Sequence, residues 1–141
     1  MKKHKLIILI LIIGLGIFFR FFRLNETPLG LYPDEAMNGN NALEAQATGD
    51  YKSFYPENNG REGFFINMQG ISLALFGNKP WALRGVSGVM GTLTIFGVFL
   101  LAYELFSQRG NKRKRSAAIT IALIAAFFTA TSYWHIHFSR I

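Results

Sequence analysis

Apolar residues fall into three long runs, and the polar stretches between them have different characters. In the first run, residues 6–19 are almost purely Leu, Ile, Gly and Phe, and Phe21-Phe22 extend it past Arg20. A helix needs about 20 residues to cross a hydrocarbon core. The run reaches that length if Arg20 snorkels to the interface, so it predicts a spanning helix over 6–22. A cleaved signal peptide would need small residues at the cleavage site. Arg20-Phe-Phe-Arg-Leu-Asn supplies none, which favours a retained anchor. The second run, 86–103, is uncharged and follows Pro80-Trp81, predicting a helix over 80–106 with proline in its first turn. Gly85, Gly88 and Gly91 leave one side of it smooth, as for packing against a neighbouring helix. The third run, 117–134, closes on Tyr133-Trp134, where an interfacial aromatic belt is expected.

One further stretch, 61–77, puts Phe64, Met68, Ile71 and Leu75 on one side of a helix, with Asn67, Gln69, Gly70 and Ser72 on its other faces. Parity of crossings decides its role. The basic residues form two clusters flanking apolar runs, Lys2-Lys3-His4-Lys5 and Arg109 to Arg115. Cytoplasmic loops carry such clusters. Three spans leave both clusters inside, whereas a fourth at 61–77 would put the second outside. An interfacial helix is therefore expected there.

The predicted fold is an all-α polytopic membrane protein with short juxtamembrane helices in its first external loop. Residues 1–5 form a cytoplasmic tail and 23–79 the external loop. Residues 107–116 form a basic inner loop, and 135–141 begin a second external loop. The N-terminus is expected in the cytoplasm, with the protein integral to the plasma or inner membrane. Three helices enclose little, so the chain reads as the N-terminal piece of a longer protein and is expected to be inactive alone.

Composition agrees with this layout. Of 141 residues, half are hydrophobic, fourteen are Phe and only 16% are charged, too apolar for an ordinary soluble domain. The net charge of +7 is clustered beside the spans rather than spread over a polar face, which argues against a nucleic-acid partner. With no cysteine, disulfide and thiol chemistry are excluded.

Candidate chemistry lies in the external loop. A Pro- and Gly-punctuated approach leads to Tyr32-Pro-Asp34-Glu35, with Asp34 suited to cap a helix and Gly49 to end it. These acids follow a membrane exit by about a dozen residues, a count within reach of the bilayer surface. Inverting glycosyl transfer from a lipid-phosphate donor needs a carboxylate base there and positive charge for the departing phosphate. Asp34 and Glu35 supply carboxylates, while Arg61, Lys79, Arg84 and Arg140 are candidate phosphate partners, Lys79 equally a border anchor. His135 and His137 alternate as zinc ligands can, but on a helix they diverge. A non-catalytic scaffold and a transporter piece remain alternatives.

Tyr32-Pro-Asp-Glu-Ala resembles the first external loop of the dolichyl-phosphate-mannose protein mannosyltransferases. Their bacterial relatives include the lipid A aminoarabinose transferases, all within the C-type glycosyltransferase superfamily. Asn41-Ala-Leu, Gly49-Asp-Tyr, Leu75-Phe-Gly, Trp81-Ala-Leu-Arg84-Gly-Val-Ser and Trp134-His-Ile-His-Phe-Ser-Arg140 follow in the family's order. The resemblance implies about ten or more spanning helices and an outer-face cavity. It also implies a polyprenyl- or dolichyl-phosphate sugar donor, inversion, Asp34 as base, and Glu35 as a second acid that positions acceptor or a divalent cation. Arg84 and Arg140 match the family's motif arginines. Arg61-Glu-Gly stands where many relatives have Lys-Pro-Pro, and Tyr133 where they have proline.

Overall fold

The computed structural model describes residues 3–57, 59–108 and 110–141, so Lys2 and Arg109 of the two basic clusters lie outside the described residues. The order is α1 (Lys3–Phe21), α2 (Pro33–Thr48), β1 (Phe54–Tyr55), β2 (Arg61–Glu62), α3 (Gly63–Phe76), α4 (Pro80–Phe106), α5 (Lys112–Thr131) and α6 (Tyr133–Phe138). Three of these, α1, α4 and α5, are long and apolar enough to cross a membrane. Two compact units result: 1–22 with 88–139, and 23–87 with 140–141.

The first unit gathers α1, most of α4, α5 and α6 around Leu9, Ile12, Ile95, Phe99, Ile119 and Leu123. On α5, Ala118, Ala122, Ala126 and Ala130 recur every fourth residue and are fully buried. Such small side chains let α1 approach closely; a Cβ on Gly16 would stand 3.6 Å from that of Ala130. The outward surface is apolar, with Ile10, Leu11, Leu101, Leu105 and Phe128 all exposed. Without water in a bilayer core, that surface is what lipid would cover. Of the three glycines singled out in α4, two do meet a neighbour. A Cβ on Gly88 would lie 2.8 Å from the Phe21 ring, and one on Gly91 would strike Ser139 and come 3.0 Å from Arg20 Nε. Gly85 faces open space.

Three expectations are corrected here. Arg20 does not snorkel: it is fully buried, and its guanidinium donates to the carbonyls of Gly16 (3.0 Å), Ala130 (3.3 Å) and Thr129 (3.3 Å). Those last two carbonyls belong to the final turn of α5, which lacks intrahelical donors and takes Arg20 as its cap. The third apolar helix ends at Thr131, because Ser132 adopts an extended conformation (φ −60°, ψ 122°), and Tyr133-Trp134 open α6 instead. At its other end α5 begins at Lys112, so much of the basic run is helical rather than loop.

The second unit packs α2 against α3 over Ala42, Tyr55, Ile66, Leu73, Ala82 and Leu83. A two-stranded antiparallel sheet, Phe54 opposite Glu62 and Tyr55 opposite Arg61, was not foreseen. Gly63 follows because the chain at Lys52 and Ser53 passes where its Cβ would be, and Gly63 N–H donates to Ser53 O at 2.8 Å. Tyr55 Oη donates to Asn67 Oδ1 at 3.0 Å, and Asn67 Nδ2 to Lys52 O at 3.1 Å, tying the hairpin to α3. The face of α3 turned inward is Ile66, Gln69, Gly70 and Leu73. Phe64, Ile71 and Leu75 point out and are 71%, 54% and 72% exposed. At about 1.5 Å per residue, this 14-residue helix is too short to span a bilayer.

Candidate functional site

The approach to α2 sets the geometry of the acids. Tyr32 is extended (φ −66°, ψ 149°) and is the cap residue, and Pro33 takes the first helical position, which needs no N–H. Asp34 is therefore not the cap, contrary to expectation; it lies in the first turn with Glu35. There a negative charge meets the positive end of the helix dipole. Glu35 takes over the capping role, its Oε2 accepting from Tyr32 N–H at 2.7 Å. At the far end Gly49 closes the helix with φ 75° and its N–H on Ala45 O at 2.9 Å, as expected.

Neighbouring acids thus part company. Asp34 is exposed, whereas Glu35 is buried. Arg84, in the first turns of α4 and itself buried, grips Glu35 in a bidentate pair: Nε to Oε1 at 2.8 Å and Nη2 to Oε2 at 3.1 Å. Its remaining donors hold the loop before α2, Nη1 reaching Pro28 O at 2.8 Å and Nη2 reaching Gly30 O. Arg140 fastens the same loop, donating to Thr27 O at 2.7 Å. Burial, and then the charge of Arg84, hold the Arg140 guanidinium below its usual pKa. The structure brings Glu35, Arg84 and Arg140 together around residues 27–30, where they fix the backbone leading to Asp34. Both oxygens of the Glu35 carboxylate are engaged in this arrangement, Oε1 by Arg84 and Oε2 by Arg84 and Tyr32 N–H.

Arg61 lies elsewhere in this unit. Leaving the short sheet, it reaches back to α2, where Nη1 donates to Asn38 Oδ1. Asn38 is one helical turn beyond Asp34 and on the same face. The other guanidinium edge of Arg61, Nε and Nη2, is buried without a hydrogen-bond partner. Orphaned charged donors are costly, and they fit an anionic oxygen. Asn41, also buried, donates to Glu57 Oε2 at 3.4 Å beside this row. Sequence reasoning missed Asn38 and Glu57, and met Asn41 only as part of a family motif. Asn38-Gly-Asn-Asn41 is a run of poor helix formers inside a helix, and that local conflict was the available signal. Lys79 is exposed beside α4.

In the first unit, His135 and His137 do not make a metal pair. His135 Nδ1 lies 2.7 Å from Arg20 Nη2. An arginine only donates, so Nδ1 is the acceptor and the proton of the neutral ring sits on Nε2. Burial, then the Arg20 charge, hold this imidazole below its ordinary pKa. His137 stacks on Tyr133, with ring centroids 5.9 Å apart. Among the described residues, no group of three or more His, Cys, Asp or Glu side chains could hold a metal ion.

Compared with known proteins, the chain matches no family model, no curated protein and no solved structure.

Proposed function

We propose that this protein is a membrane glycosyltransferase of the plasma or inner membrane. It moves a sugar from a polyprenyl- or dolichyl-phosphate donor to an acceptor hydroxyl at the outer face, with Asp34 as general base. The observation that carries this reading is the pairing of roles on one face of α2. An exposed carboxylate, Asp34, stands one turn from Asn38, which anchors an arginine with two unpartnered donors. In the reaction the acceptor oxygen attacks the anomeric carbon while Asp34 takes its proton. The bond from that carbon to the phosphate oxygen breaks, its electron pair goes to the lipid phosphate, and Arg61 holds the developing charge. Attack opposite the leaving group inverts the anomeric centre.

Glu35 and Arg84 position the site in this scheme; their mutual pairing takes them out of contact with substrate. The outward apolar side of α3 supports placement of this unit at the lipid surface, where a polyprenyl chain would approach. Membranes containing the full-length protein, supplied with a labelled polyprenyl-phosphate sugar, are expected to yield product of inverted configuration. Transfer from a nucleotide sugar with no lipid intermediate, or retained configuration, contradicts the proposal.

A further inference from the structure

The other end of the first unit carries a second feature. The ends of α4 and α5 enclose a cavity of about 500 Å³ whose lining includes Tyr103, Glu104, Gln108, Lys112 and Arg115. Lys112 and Arg115, three apart, share one face of α5 and line it, while Arg113 and Lys114 do not. Arg115 is held in place by its Nε donating to Tyr103 Oη at 2.9 Å. The start of α1 joins the same end, because Lys5 Nζ donates to Ser116 O at 2.8 Å and to Thr120 Oγ1 at 3.1 Å. Lys3, Lys5 and the four cations of residues 112–115 therefore collect together.

Four cations in the first turn of α5 oppose its helix dipole, whose N-terminal end is already positive. They cost helix stability, and orientation across the membrane requires only their presence in the loop, not a shared cavity. The cavity lies at the ends of two helices long and apolar enough to cross a membrane, so in a bilayer it would lie near the headgroups. We infer that this cavity binds the headgroup phosphate of an anionic phospholipid of the cytoplasmic leaflet. Lys112 and Arg115 hold the phosphate oxygens, and Tyr103 keeps Arg115 aimed inward. The site is independent of sugar transfer and rests on α4 and α5 ending at one membrane surface, the cytoplasmic one.

The test uses the full chain in phosphatidylcholine nanodiscs doped with phosphatidylglycerol, with lipid retention read by native mass spectrometry. Preferential retention of phosphatidylglycerol is expected. Each interfacial cation contributes about fivefold, so K112Q/R115Q is expected to weaken retention roughly twentyfold. The charge-matched pair R113Q/K114Q is expected to do far less. Tyr103→Phe, which changes no charge, is expected to give a partial loss. Equal losses from the two pairs would reduce the effect to a diffuse field and overturn the site. Displacement of the lipid by free glycerophosphate at equal concentration would also overturn the lipid assignment.

Discussion

Replacing Asp34 by Asn in the full-length protein is expected to lower sugar transfer by about 10²- to 10⁴-fold, the usual contribution of a positioned base. Asparagine keeps the shape of the side chain but accepts no proton. The fold should tolerate the change, because Asp34 is exposed and the cap on α2 is made by Glu35. Loss of a favourable charge at a helix start contributes about 0.3–1 kcal/mol to the structural cost. Normal membrane insertion with transfer gone supports the base assignment. Asp34→Glu, which restores a carboxylate at longer reach, is expected to recover part of the activity. Undiminished transfer by Asp34→Asn would remove Asp34 from the chemistry.

Arg84→Ala is expected to act through the backbone instead. It leaves the Glu35 carboxylate buried without its counter-charge, and breaking such a pair costs about 3–5 kcal/mol. The carbonyls of Pro28 and Gly30 lose their donor in the same step. Amide hydrogen exchange should then rise across residues 24–48, with α1 and α5 unaffected. Lysine is a poor substitute, since it cannot present the two parallel donors of a guanidinium. Replacing both partners with apolar residues, R84M/E35L, is expected to recover only part of the lost protection: it removes the buried unpaired charge, but the cap on Tyr32 N–H and the donors to Pro28 and Gly30 stay lost. Exchange in Arg84→Ala as slow as in the parent protein would mean that the pair does not hold this loop.

What was legible in the sequence follows from the range of the forces involved. The three long apolar helices were visible because lipid or core burial acts on every residue of a run, and α4 begins and ends at the residues read for it. The end of α5 was not visible. Tyr133-Trp134 continue the apolar pattern, and only the backbone turn at Ser132 separates them from it. Arg20 was misread for a related reason. A charge near the end of an apolar run looks the same whether it reaches water or, as here, finds the open carbonyls of a helix 110 residues away. Glu35 and Arg84 were each singled out, but their pairing across 49 residues has no local signature. The polar positions along α2 were likewise invisible as a site until β2 delivered Arg61 to Asn38.

Everything proposed about chemistry requires α2 and the basic end of α5 to lie on opposite sides of the bilayer. Because the chain has no cysteine, single replacements can report this directly. Asn40 on α2 and Lys114 on α5 are both exposed. In intact cells a membrane-impermeant maleimide is expected to label Asn40→Cys at once, and Lys114→Cys only after permeabilisation. Labelling of both from the same face would contradict the account.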